Sequence, residues 1–226
     1  MKRTVLITGA TGELGKNLAR ALSQTGYAVI INYRKNKVAA ERLAADIKAR
    51  AVLQADVTNP VEVTELFKKT GKIDVLINNV GDFIWKPLAK TSNEEFSNVL
   101  QNNLLSAWYC TKAALPKMRA QKFGRILNFG SAGCGQITTR PMTTPYYIAK
   151  TGLLMLTKSL AKEEQKNGIT VNMVSPGILP SSFVKPDRAP VVSFDDITRA
   201  VLFLVADTNQ AVSGANIEVT GGWRPE

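Results

Sequence analysis

Seven short β-branched runs recur along the chain, each followed by a longer amphipathic stretch or a turn: Thr4–Thr8, Ala28–Asn32, Ala51–Ala55, Ile73–Asn78, Arg125–Phe129, Thr170–Val174 and Asn216–Val219. The first six are nearly continuous in apolar residues, the pattern of parallel strands covered by helices on both faces. The stretches between them carry helix-start signals. Ser92-Asn93-Glu94-Glu95 reads as a capping box, and Thr144-Pro145 as an N-cap followed by proline at the first helical position. Ser193-Phe194-Asp195-Asp196 reads as the start of a later helix. The alternation predicts an α/β domain with a doubly wound parallel sheet of about seven strands and helices on both faces. A chain of 226 residues with no repeat, low-complexity tract or charged linker supplies one such core, spanning 1–226. Sheets of this kind bind ligands beyond the carboxyl ends of their strands.

The first such loop reads TGATGELG, residues 8–15, between the run Val5-Leu6-Ile7 and the first helical pattern. Small residues there let the backbone approach a pyrophosphate, whose charge the helix N-terminus stabilises. A merely tight turn is the alternative for a loop of this kind taken alone. Gly9, Gly12 and Gly15 are spaced by three, so Glu13 stands between glycines. Its carboxylate favours the helix dipole if it faces outward, and repels a pyrophosphate if it turns in. The second strand ends at Asn32-Tyr33-Arg34-Lys35, with no carboxylate to hold a ribose 2′-hydroxyl. Arg34 and Lys35 suit a 2′-phosphate instead, which favours NADP(H) over NAD(H), solvated loop charges being the other reading.

Charge and composition exclude several classes. The formal net charge is +11 and there is no histidine, which removes imidazole bases and the commonest metal ligand. The two cysteines, Cys110 and Cys134, are too few for a disulfide framework or a metal knuckle and read as ordinary thiols. No metal site is expected. The apolar run after Met1-Lys2-Arg3 is too short for a signal peptide, and no later run approaches membrane-spanning length, so a cytoplasmic protein is expected. The basic residues are spread along helices, and aromatics make up only 7% of the chain, so no nucleic-acid partner is expected.

Further along, Pro145-Tyr146-Tyr147-Ile148-Ala149-Lys150 places Tyr146 and Lys150 four apart, on one face of a helix. A free phenol has a pKa of about 10. A nearby ammonium favours the phenolate, and so would make Tyr146 a usable general acid or base. Tyr147 is read as pointing elsewhere, toward substrate or packing.

These stretches do not stand singly. With ADV (55–57), NNVG (78–81), NNLLSAWYCTKAALP (102–116), GRILNFGSAG (124–133), VNMVSPG (171–177) and VSGANIEVTGG (212–222), the chain resembles the short-chain dehydrogenase/reductase family from residue 4 to about residue 222. The resemblance implies a Rossmann-like fold and an NADP-dependent oxidoreductase that moves hydride between nicotinamide and a substrate carbonyl or alcohol. It implies Tyr146 as proton donor or acceptor, and Lys150 as the group lowering its pKa and holding the nicotinamide ribose. Ser131 matches the serine on the substrate oxygen, and Asn103 the asparagine of a water relay to the lysine, with Asn102 an adjacent competitor. Cofactor contacts are expected at Gly9, Thr11, Gly12, Glu13, Leu14 and Gly15 of the first loop, and at Arg34. Asp56 and Val57 match adenine contacts, Asn79 and Gly81 the turn beside the ribose, and Pro176-Gly177 the wall of the nicotinamide pocket.

Departures from the family pattern are Glu13, Val80 in place of alanine, and a slightly long connection over 133–145. A short lid, 178–192, implies an open site for extended substrates. The overall likeness is to 3-oxoacyl-(acyl-carrier-protein) reductases. Lys112, Lys117, Arg119, Lys122 and Arg125 are read as a surface for an acidic carrier protein or coenzyme A phosphates. Reductases of sugars, polyols, steroids or pteridines, and a cofactor-binding sensor without turnover, are the alternatives. The family implies a homodimer or homotetramer through helices 93–119 and 146–166 and the last strand.

Overall fold

The computed structural model describes residues 2–185, 189–223 and 225. All seven expected strands form: β1 (Thr4–Ile7), β2 (Ala28–Tyr33), β3 (Ala51–Gln54), β4 (Val75–Asn78), β5 (Gly124–Phe129), β6 (Ile169–Pro176) and β7 (Asn216–Val219). They pair in parallel in the order β3-β2-β1-β4-β5-β6-β7. The order reverses at β1, whose neighbours are β2 and β4. The loops leaving β1 and β4 therefore diverge, and a crevice opens between them.

Side chains on a strand alternate between the faces of the sheet, and the two halves of the core follow. Val5 and Ile7 pack in one cluster with Leu18 and Leu22 of α1 (Glu13–Gln24), Leu43 of α2 (Lys37–Ile47) and Val201 and Leu204 of α7 (Phe194–Val205). Leu6 and Leu76 pack in the other, with Leu66 and Phe67 of α3 (Pro60–Thr70), Met118 of α5 (Ser106–Ala120) and Leu160 of α6 (Thr144–Glu164). Each buried leucine contributes about 1.5–3 kcal/mol. No helix among the described residues is long and apolar enough to cross a membrane.

The capping box at Ser92 forms in full and starts α4 (Asn93–Leu100); a second one at Ser193 starts α7. The N-cap of α6 is Thr143, one residue earlier than the sequence implied. Thr144 Oγ1 instead donates back to the Arg140 carbonyl at 2.8 Å, which draws it into the first turn. The helix begun at Ser92 is also not regular. Gln101–Leu105 winds as a π-helical stretch between α4 and α5, a local widening often found at functional sites.

A buried polar ladder ties the sheet to the helices behind the crevice. Asn78 Nδ2 donates to Asn128 Oδ1 (2.8 Å) and to Thr111 Oγ1 (3.2 Å), and Asn128 Nδ2 donates to Thr157 Oγ1 (2.9 Å). These bonds fix α5 and α6 against β4 and β5, the strands whose ends carry the site.

At the other end of α6, Glu164 is 1% exposed and receives Arg119 Nε at 3.0 Å and Asn167 Nδ2 at 2.8 Å. The Arg119 hydrogen bond is the main cause of a Glu164 carboxyl held below its usual value. A carboxyl depressed in the folded state adds stability that is full above its unfolded pKa and lost as pH falls through its folded one. Glu164→Gln is expected to lower Tm by about 2–4 °C at neutral pH. Thermal melts on parent and variant should show that gap closing as the buffer is taken below about pH 4.

Candidate active site

Gly9 adopts a positive φ of 59°, and its neighbours leave it no room for a side chain, since a Cβ would lie 2.9 Å from Val80 Cγ2. Two asparagines pin the loop. Asn32 Oδ1 accepts from Gly9 N (3.3 Å) while Asn32 Nδ2 donates to the Ala55 carbonyl (3.1 Å). Asn79 Nδ2 donates to the carbonyls of Thr8 (3.2 Å) and Gly9 (3.1 Å), closing the crevice floor from the β4 side. Gly15 lets α1 start against the loop, because a Cβ there would stand 2.8 Å from Ala10 Cα and Gly9 O.

Gly12 is the N-cap of α1 and offers no side-chain cap, and a Cβ on it would meet only Gly9 O, at 3.6 Å. The first amides of α1 thus face open space that a side chain would fill, a cradle that fits a pyrophosphate. Glu13 does not enter it. Its Oε1 accepts from Lys16 Nζ at 2.7 Å on the outer surface, and that bond holds the carboxyl below its usual range. Beyond β2, Arg34 is exposed, with Nη1 3.5 Å from Asp56 Oδ2. Asp56 itself is set by Thr58, whose N and Oγ1 donate to Oδ1 at 2.9 and 2.7 Å.

At the far end of the same cleft, the turn after β5 brings Ser131 against the first turns of α6. Ser131 Oγ donates to the Tyr147 hydroxyl at 3.4 Å, and Tyr147 donates to the Ala132 carbonyl at 3.0 Å. Of the two readings of Tyr147, the substrate side is the one it takes: both tyrosines line the cleft. The 130–133 turn lies over the helix start and meets both rings, which pack edge to face at 5.7 Å.

Burial pushes the Tyr146 phenol up from its usual value, and the Ser131 hydrogen bond draws it part of the way back. Lys150 is nine-tenths buried and more, its ammonium 5.5 Å above the Tyr146 ring centroid and donating to the Phe129 carbonyl at 2.8 Å. The sequence reading had this ammonium lowering the phenol. In the folded protein burial is the largest influence on the phenol. Burial likewise lowers the lysine to about 8, against the raising effect of Cys134 and Asp82.

Asn103, on the π-helical stretch, is buried at 1% exposure, and its Nδ2 donates to Asp82 Oδ1 (2.7 Å), Asp82 O (3.0 Å) and Val99 O (3.0 Å). Asn102 turns outward, donating to Asp82 Oδ2 (3.0 Å) and Asn98 O (2.9 Å). Of the two candidates, Asn103 is the one that faces Lys150. Gly81 permits this closeness, since a Cβ on it would lie 2.6 Å from Asn103 Oδ1. The Gly177 amide is bonded to Val219 O (2.9 Å), which sets the opposite wall.

Every predicted site residue, from Gly9 to Gly177, lines one cleft of about 1290 Å³. Sequence reasoning missed Asn32, Asp82, Arg140 and the aromatic pair Phe83 and Trp85. Phe83 packs edge-on against Tyr146 at 5.0 Å, and Phe83 and Trp85 are 44% and 48% exposed. Two aromatics, two and four residues after NNVG, were the available signal. Arg140 stacks over the Tyr147 ring at 4.6 Å and donates to Pro225 O at 3.0 Å, a contact no local pattern announces.

The proposed basic surface does not survive in full. Arg125 is 1% exposed, its guanidinium spent on backbone carbonyls including Gly124 O (3.0 Å). Arg119 is paired with Glu164, and Lys117 caps the end of α3 through Phe67 O (2.8 Å). These residues also lie where β5 begins, about 17–20 Å of strand from the end that carries Ser131.

The family model described as short chain dehydrogenase matches residues 3–191. A 3-oxoacyl-[acyl-carrier-protein] reductase of Staphylococcus aureus is 33% identical, over 98% of this chain and 98% of its own. One from Synechocystis is 34% identical, over 97% of this chain and 96% of its own. Among solved structures, a candidate 3-oxoacyl-reductase from Bacillus thuringiensis superposes with a TM-score of 0.90 at 33% identity, covering 100% of this chain and 99% of that one. A candidate gluconate dehydrogenase from Agrobacterium tumefaciens gives 0.89 at 28% identity, covering 97% and 95%.

The cradle makes a direct prediction. Gly12→Val adds a side chain into open space, so the variant should keep the parent's Tm. Its affinity for a nicotinamide dinucleotide, followed by nicotinamide fluorescence, should fall by about tenfold or more. Unchanged affinity would place the pyrophosphate elsewhere.

Proposed function

The chain belongs to the short-chain dehydrogenase/reductase family, and from that premise we propose that it reduces the carbonyl of a 3-oxoacyl thioester with NADPH, Tyr146 delivering the proton. The observation that carries this reading is the meeting of Ser131, Tyr146 and Lys150 on one wall of a cleft whose other end is the glycine cradle. When bound, the nicotinamide supplies hydride.

The remaining work falls to the chain's own groups. The Gly9–Gly15 loop would hold the pyrophosphate, Asp56 and Val57 the adenine, and Arg34 a 2′-phosphate. Asn79 and Gly81 would border the ribose, Lys150 would hold it, and Pro176 and Gly177 would back the nicotinamide. Ser131 Oγ donates to the substrate oxygen and orients it. Tyr146, its phenol raised by burial, keeps its proton at neutral pH and so is poised as a general acid toward the substrate oxygen. Lys150, lowered to about 8, exchanges protons readily and resupplies the phenol, with Asn103 beside it.

Substrate class is supported by the relatives' names and by the mouth of the cleft. Phe83, Trp85 and the 86% exposed Phe183 of the short lid offer an apolar shelf to an acyl chain. Residues 186–188 of that lid lie outside the described residues. Exposed Ile148 and Met155 on α6 support a homo-oligomer.

Tyr146→Phe is expected to cut kcat by about 10²- to 10⁴-fold while the Kd for NADPH stays near the parent's. Retention of most of the rate would move the proton transfer to another group. Arg34→Asp should lower the NADPH-to-NADH affinity ratio by about tenfold or more, read from paired fluorescence titrations. Turnover of 3-oxoacyl thioesters compared with free ketones and sugar acids tests the substrate, and a clear preference for either of the latter overturns it.

A further inference from the structure

Asp82 is absent from the family motifs quoted above, yet its carboxylate ties together two asparagines of the cleft. Oδ1 accepts from Asn103 Nδ2 at 2.7 Å, Oδ2 accepts from Asn102 Nδ2 at 3.0 Å, and the Asp82 carbonyl accepts a further bond from Asn103 at 3.0 Å. The third acceptor on Asn103 Nδ2 is Val99 O, at 3.0 Å. An amide turned over would put its oxygen against a carboxylate and two carbonyls, so this orientation is the one the surroundings allow.

The consequence is at the other end of the amide. Asn103 Oδ1 is buried and has no hydrogen-bond partner among the described residues. It looks toward Lys150 beside Gly81. The single point that a Gly81 Cβ would occupy lies 2.6 Å from Asn103 Oδ1 and 3.5 Å from Lys150 Nζ. A buried acceptor is thus aimed at the lysine by a carboxylate on the amide's far side, and that carboxylate opens onto the cleft.

We propose that Asp82 is a positioning residue for proton supply: it locks the Asn103 amide with its oxygen toward Lys150, and its charge sustains the buried ammonium. The part concerning proton supply rests on the reductase reading; the locking and the charge do not. The two charged groups act on each other as this requires. Cys134 and Asp82 raise Lys150 against burial, while the Asn103 and Asn102 amides, and after them Lys150, draw the Asp82 carboxyl down against the enclosure that pushes it up. The other groups facing Lys150 are Tyr146 on its own helix, Cys134 after β5, and Asn103. Arg140 and Glu218 bear on Tyr147. Asp82 is the carboxylate among the groups that act on Lys150.

Three variants separate the roles. Asp82→Asn keeps an oxygen for Asn103 but removes the charge; Asp82→Ala removes both; Asp82→Glu restores the charge at a longer reach. The first readout is the Lys150 side-chain CH₂ signal followed by NMR through a pH titration of the free protein, which needs no cofactor. The second is the pH profile of kcat. In Asp82→Asn, the Lys150 midpoint should fall below its parent value of about 8, and the alkaline limb of kcat should move to lower pH with it. Asp82→Ala should add a loss in kcat of about tenfold to a hundredfold with KM little changed, and Asp82→Glu should recover part of it. Circular dichroism and NADPH fluorescence establish that each variant is folded, and if Asp82→Ala is not, Asp82→Asn alone decides. A Lys150 midpoint and alkaline limb unmoved in Asp82→Asn overturn the proposal. A midpoint that moves in a protein with no reductase activity sinks the function reading and keeps the role of Asp82 toward Lys150.

Discussion

Parallel pairing of β1 with both β2 and β4 is the constraint from which the site follows. A strand flanked this way sends its own loop to one face of the sheet while the β4 loop goes to the other, and a crevice is left between them. The crevice would be shapeless without Asn32 and Asn79. Asn32 reaches from β2 to Gly9 N, and Asn79 reaches from β4 to the carbonyls of Thr8 and Gly9. Three strand ends are thereby tied to one glycine turn. Because the backbone polar groups of that turn are satisfied by side chains, the amides at the start of α1 remain turned to the cleft.

The catalytic wall has the same logic at the neighbouring strand ends. The ladder from Asn78 through Asn128 to Thr157 holds α6 to β4 and β5 inside the protein, where each bond is protected from water. Its rigidity is transmitted up the helix to Lys150 and Tyr146. Burial then acts in opposite senses on the two groups, raising the phenol and lowering the ammonium, so that their proton affinities move apart and the ammonium becomes the stronger acid. A phenolate formed at Tyr146 would therefore take a proton from Lys150 downhill. That ordering comes from burial more than from direct attraction between the two.

Much of this was legible because it is local. The strands, both serine capping boxes and the one-face spacing of Tyr146 and Lys150 depend on periodicity and on side chains within a turn of each other. What was misread depends on where the chain returns. Arg125 looks like a surface charge in the sequence, but Ala206, Asp207 and Gly168 supply carbonyls that bury it, from residues far along the chain. Helical spacing left Tyr147 open between substrate and packing, and the turn carrying Ser131, which reaches its hydroxyl, puts it on the substrate side. Thr144 lost its capping role to a backward bond with Arg140.

By itself, the sequence determined the doubly wound sheet, the glycine turn ahead of the first helix, and the set of residue types gathered at the strand ends. Apolar periodicity, capping and the steric freedom of glycine are properties of short segments, and they act before any distant contact forms. Tertiary structure alone decided that Glu13 turns outward to Lys16, that burial and not Lys150 governs the Tyr146 phenol, and that Asp82 holds the Asn103 amide with its oxygen toward the lysine. Each of these is a matter of solvent exclusion, or of which groups from separate loops come within hydrogen-bonding distance. Neither quantity exists until the chain has closed on itself.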